Sequence, residues 1–171
     1  MAEYTDSRMP RTGCLALVVI LVACGHPSKP VPPRTSKPRA SLPQAIQPVL
    51  PKRGIYAAGG GLTSSPWRVV VDQDAGTIKA GTAAGANKPS FGPMDKESTA
   101  TPDAASLKEL GALADKTWRE ERQPNLHPIA DYDEIVVLLD GDETFMIQGF
   151  GPIRTGAAKE LLDRLKTYLP R

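Results

Sequence analysis

Between His26 and Lys52 the chain places eight prolines, at positions 27, 30, 32, 33, 38, 43, 48 and 51. Each removes a backbone donor and fixes φ, so a tract of this density reads as neither helix nor sheet. The expectation is an extended, polyproline-like spacer with a reach on the order of 100 Å over some forty residues. It closes at "YAAGGGLTSSP", residues 56–66. Three successive glycines suggest a phosphate loop only where a strand precedes and a helix follows, and here a proline tract precedes.

Charge divides the chain in the same way. Residues 24–65 carry Lys29, Arg34, Lys37, Arg39, Lys52 and Arg53 with no acid, whereas residues 66–171 carry 13 basic and 17 acidic side chains. The basic balance therefore belongs to the spacer. Nucleic-acid binding by the rest is disfavoured, because phosphate contacts need clustered Lys and Arg on the domain itself. The spacer cations suit anionic headgroups or acidic polymers at no more than about 1 kcal/mol each. A solvated linker extended by its own repulsion is the plainer reading.

Upstream, Arg11 precedes an apolar run from Cys14 to Ala23. That run is about half of the ~20 residues a membrane-spanning helix needs, but it suits the apolar centre of a secretory signal, which needs ~7 to 15. Glu3 and Asp6 are foreign to such a start, which favours Met9 as the initiator. Leu21, Val22, Ala23 and Cys24 resemble the lipobox of bacterial lipoproteins, in which an apolar residue, a tolerant position and a small residue precede cysteine. The resemblance covers residues 9–24. It implies cleavage between Ala23 and Cys24, diacylglycerol on the Cys24 sulfur and a palmitate-type acyl group on the new amine, so that membrane lipid is the first partner. Cys14 is no rival, since Arg11, Thr12 and Gly13 precede it. Gly25, where enteric sorting retains proteins with Asp, implies the outer rather than the inner membrane. With Cys14 and Cys24 both in the first 24 residues, the region expected to fold has no disulfide and no thiol chemistry.

Folding is expected from residue 66 onward. "WRVVVDQDAGTIKAG" from Trp67 reads as a hairpin, and residues 83–100 as a long loop rich in Gly, Ala, Pro and Ser. A helix follows, with Thr101 as cap, Pro102 at its first position and Leu107, Leu110, Ala114 and Trp118 on one face. Ile135–Leu139 and Thr144–Ile147 flank Asp140 and Gly141 as a second hairpin. A closing helix from about Thr155 to Leu169 carries Ala158, Leu161, Leu162 and Leu165 on one stripe. The expected fold is α+β: ββαββα, a four-stranded antiparallel sheet with two helices on one face, as residues 66–171. A signal peptide (1–23) and a disordered Pro-rich tether (24–65) precede it.

Catalytic residues are sparse. His127 is the one histidine beyond the tether, and neither GxSxG nor SxxK occurs. His127, Asp131 and Asp133 are close enough in sequence to form a metal site, but their spacing matches no standard zinc pattern. Asp140, Asp142 and Glu143 lack the alternation of a calcium loop and read as a solvated turn. No cofactor is expected. The function expected is a membrane-anchored envelope lipoprotein with a non-catalytic binding or scaffolding domain, offering an outer sheet face or an edge strand to an envelope protein or cell-wall polymer. The alternative is a small envelope hydrolase or metal-handling protein using His127, Asp131 and Asp133.

Overall fold

The computed structural model describes residues 34–60, 64–86, 88–121, 134–149 and 153–171. The chain divides into two units, Met1–Pro30 and Val31–Arg171, and every described residue belongs to the second. The leader and Leu21–Cys24 lie outside the described residues.

The elements run β1 (Lys37–Pro38), two short 3-10 turns (Arg39–Ser41 and Gln47–Val49), β2 (Arg53–Gly59), β3 (Trp67–Asp72), β4 (Thr77–Thr82) and β5 (Lys96–Ala100). They continue through α1 (Ala104–Glu120), β6 (Glu134–Asp140), β7 (Glu143–Gly149) and α2 (Gly156–Lys166). Among the described residues seven strands form one sheet in the order β1-β7-β6-β2-β3-β4-β5, antiparallel throughout. This overturns the four-stranded ββαββα fold: β1, β2 and β5 were not foreseen, and β2 lies at the centre.

Strand β2 escapes a reading by propensity because Gly54, Ala57, Ala58 and Gly59 favour strands weakly. Position holds it instead. It pairs with β3 on one side and β6 on the other along its length, and Ile55 to Ala58 are fully buried. Small residues suit this crowding. Gly54 adopts φ +150°, and a Cβ there would stand 1.9 Å from the carbonyl oxygen of Val71.

The alternation of β6 runs apolar on both parities, and both faces are covered. Towards the helices, Val136 and Leu138 join Ile55, Val69, Val71, Phe145, Leu110, Trp118, Leu161 and Leu165 in one core. Towards the other side, Ile135, Val137 and Leu139 join Tyr56, Ala58 and Met146 beneath Leu42, Ile46 and Leu50. An ordinary buried strand therefore accounts for the hydrophobic run.

Those last three residues come from the tract expected to be a disordered tether, and for residues 34–60 that expectation is corrected. Proline bars the segment from the sheet interior but not from lying across a sheet face. Residues 39–51 form a strap that sets an aliphatic side chain on the sheet every fourth position: Leu42, Ile46 and Leu50. Carbonyls left without ladder partners are met by side chains. The Arg39 guanidinium donates to the carbonyls of Leu50 (3.0 Å) and Pro51 (2.8 Å), and Gln47 Nε2 donates to Leu42 (3.0 Å). Pro38 sits in β1, at an edge, where a missing donor is tolerated.

The cations of this segment are likewise part of the fold. Arg34 pairs with Asp115 and Asp140, and Arg53 pairs with Asp140 (3.2 Å) and Asp74 (3.5 Å). The turn joining β6 to β7 is Gly141–Asp142, one residue later than expected, with Gly141 at φ +63°. Helix α1 begins two residues later than expected: its cap is Asp103 rather than Thr101, and the Asp103 carboxylate accepts from the Ser106 N–H at 2.7 Å.

Candidate functional site

The strap covers only half of the outer face. Over β6, β7 and β2 it seals the apolar layer, whereas over β3, β4 and β5 the face opens into a groove of about 430 Å³. One wall is the end of the strap, Pro48, Val49, Leu50 and Pro51. The floor follows from strand alternation: Val69, Val71, Ile78 and Ala80 point to the helices, so Arg68, Val70, Asp72, Thr77 and Lys79 line the opposite face. Register sets Val70 beside Lys79 and Lys79 beside Thr99. The far rim is β5, with Glu97 and Thr99.

Arg68 is the half-buried cation of the groove, its side chain 14% exposed. Its Nη1 donates to the carbonyl of Gly92 at 3.2 Å, and Nη2 lies 3.5 Å from Glu97 Oε1. One side chain thus ties together β3, the loop before β5 and β5 itself. Met94 of that loop lies over Gly81, where a Cβ would come within 2.7 Å of Met94 Cγ. At the loop's end Asp95 accepts from the Ala84 N–H (2.7 Å) and from Lys88 Nζ (3.2 Å). The Ala84 N–H, followed by Lys88, holds the Asp95 carboxyl below its ordinary value. Lys79 is exposed at the middle of the floor.

Chemically the groove is mixed: an apolar wall from the strap, a floor in which Val70 lies among Arg68, Asp72, Thr77 and the exposed Lys79 ammonium, a Thr99 hydroxyl, and a Glu97 carboxylate on the rim facing Arg68. A second cavity of about 310 Å³, at the side of α1, is bordered by Arg34, Trp118, Asp115, Arg53 and Asp140. Its charges are matched within the fold, and it marks where the N-terminal segment docks.

The residues singled out from sequence fall mostly elsewhere. Leu21, Val22, Ala23 and Cys24, and the metal candidates His127, Asp131 and Asp133, lie outside the described residues. Among the described residues no group of three His, Cys, Asp or Glu side chains could hold a metal ion. Asp140 belongs to an ion-pair cluster with Arg34 and Arg53. Sequence reasoning missed Glu134, which is 5% exposed at the start of β6. It accepts from the Ile153 N–H at 2.6 Å and from Lys166 Nζ, while Lys166 sits 5.0 Å from the centre of the Trp67 ring. An acid directly ahead of a strand buried on both faces was the available signal. Among the described residues no helix is long and apolar enough to cross a membrane. The chain matches no family model, no curated protein and no solved structure.

Proposed function

We propose that this chain is a lipid-anchored protein of a bacterial envelope, acylated at Cys24 after cleavage behind Ala23, whose folded unit is a non-catalytic binding module. The observation that carries the binding reading is the unequal cover of the sheet: the strap ends at Pro51 and leaves an open groove beside it. A polypeptide segment of another envelope component suits that groove better than a polymer of one repeated charge. Its surface alternates apolar positions (Val49, Val70) with both signs of charge (Lys79, Glu97), as the side chains of an extended peptide do.

The lipobox residues support the anchor, and Gly25 supports the outer membrane. The corrected fold changes the consequence of anchoring. Nine residues lie between Cys24 and Arg34, ten steps along the chain that at full extension span at most about 35 Å. That is a leash about a third as long as the tether read from composition. The module is then confined to a layer next to the bilayer surface, and its partner with it.

Two measurements test this. Metabolic labelling with a palmitate analogue is expected to label the chain and to be lost in Cys24→Ser; retained label, or none in the parent, removes the anchor. A photo-crosslinking residue at Thr77 or Lys79 is expected to trap the same polypeptide in intact cells, and one at Asp163 on the exposed side of α2 to trap none. Equal trapping at both places removes the groove.

A further inference from the structure

The sheet ends differently on its two sides. On one side β1 is two residues long, and Pro38, one of the two, has no N–H. On the other, β5 offers five residues, Lys96–Ala100, with no proline, and among the described residues it pairs with β4 alone. An unpaired row of N–H and C=O groups is a template for another strand, and proteins that must stay single blunt it with charges projecting across the edge. Here the two charges of β5, although exposed, each have a partner within their own copy. Lys96 Nζ donates to the carbonyl of Arg171 at 3.2 Å, and Glu97 faces Arg68 at 3.5 Å.

We propose that β5 is a self-association edge, at which two copies of the chain pair antiparallel about a two-fold axis through Ser98. Self-complementarity carries the choice of occupant. The register in which all five residues of both strands pair is centred on Ser98. It sets Lys96 against Ala100 of the second copy, Glu97 against Thr99, and Ser98 against Ser98. No like charges oppose, and small hydroxyl residues meet at the centre, a favourable cross-strand combination. Centring on Glu97 or on Lys96 instead would oppose identical charges and shorten the ladder. The blocked β1 edge lets the assembly stop at two copies rather than grow.

The pairing has a structural consequence for the groove. Glu97 and Thr99 form its rim, so joining two β5 edges runs the two grooves into one continuous trough across the axis. The pairing itself does not depend on what the groove binds or on the lipid anchor. A single five-residue strand pair is well below the area of a stable dimer, which makes the association weak in dilute solution.

Disulfide trapping reads the register directly. Residues directly opposite across an antiparallel pair have Cα atoms about 4.5 to 5.5 Å apart, within disulfide range, whereas residues offset by two positions lie beyond about 7 Å. The full-length chain with Cys14→Ser and Cys24→Ser, in detergent, serves as background. Adding Ser98→Cys is expected to give a species of twice the chain mass on mild oxidation, on the order of tenfold faster than Thr99→Cys. Both positions are exposed, so collisions alone would treat them alike. A mixture of Glu97→Cys and Thr99→Cys chains is expected to crosslink as a heterodimer, with circular dichroism confirming that each variant is folded. Equal rates at 98 and 99, no crosslinking at either, or no 97-to-99 product would overturn the proposal.

Discussion

The Arg34 guanidinium lies 5.1 Å from the centre of the Trp118 ring, and the indole N–H of Trp118 donates to the carbonyl of the next residue, Thr35, at 3.0 Å. A residue assigned by composition to a disordered tether is therefore held against the last turn of α1. It also pairs with Asp115 on α1 and Asp140 at the end of β6. Arg34→Ala removes the cation and both pairs, and is expected to destabilise the fold by about 1 kcal/mol, the scale of one partly exposed cation–π contact with weak ion pairs. Arg34→Lys should recover part of that loss, because the charge returns without the planar fork. Urea unfolding midpoints measure both; an unchanged midpoint in Arg34→Ala would show the segment undocked.

The strap makes a sharper prediction. Ile46 is 1% exposed above Tyr56, Val137 and their neighbours. Ile46→Ala should cost about 3 kcal/mol, within the range for truncating a buried aliphatic side chain. Gln44→Ala, at an exposed position of the same strap, should stay within about 0.5 kcal/mol of the parent. A disordered tether would make the two variants indistinguishable in chemical denaturation.

These contrasts show what composition hides. Two hairpins and two amphipathic helices are legible because their periods, 2 and near 3.6, are carried by large side chains such as Val69, Val71, Leu110 and Leu161. Strand β2 has no such period to read: Ile55 and Tyr56 face opposite sides of the sheet, and the Gly54, Ala57, Ala58 and Gly59 around them resemble linker composition. Strand β5, "KESTA", is polar and exposed; it is a strand because β4 presents an edge to it. The strap did carry a signal, Leu42, Ile46 and Leu50 at a constant spacing of four, which the prolines around it masked. As for the groove, its floor is implied by the alternation of Arg68, Val70 and Asp72 against Val69 and Val71. Its wall is not, because that depends on where a proline-rich segment crosses the sheet.

Helix α1 supplies a pH-dependent test. The Ser106 N–H, received by the Asp103 carboxylate, holds that carboxyl below its ordinary value. A depressed folded-state value means that the cap contributes fully above the unfolded carboxyl range near pH 4 and loses its contribution as pH falls through the folded-state value. Asp103→Ala should therefore lower the thermal midpoint at pH 7, and the gap to the parent should shrink as pH falls below about 4. Thermal melts from pH 7 to pH 2 check this; a gap that widens towards low pH would contradict the capping role.

Glu134 and Lys166 allow the interior electrostatics to be separated by a mutant cycle. The Glu134 side chain is 7% exposed and that of Lys166 35%, so the carboxylate is the partner that depends on the pair. Glu134 also receives the Ile153 N–H, which anchors the backbone just ahead of α2. Glu134→Ala removes both interactions and is expected to cost about 1 to 3 kcal/mol, the range for leaving buried hydrogen-bonding groups unmet. Glu134→Gln keeps an acceptor for Ile153 and should cost less. Lys166→Met leaves the carboxylate buried without its counter-charge, the more damaging half of such a pair. The double variant Glu134→Gln with Lys166→Met should then be more stable than the sum of the two single losses predicts, by roughly 1 kcal/mol. Equilibrium unfolding of the four proteins gives that coupling directly. A value near zero would mean that Glu134 serves α2 through Ile153 alone, and that Lys166 lies over Trp67 without stabilising the acid beside it.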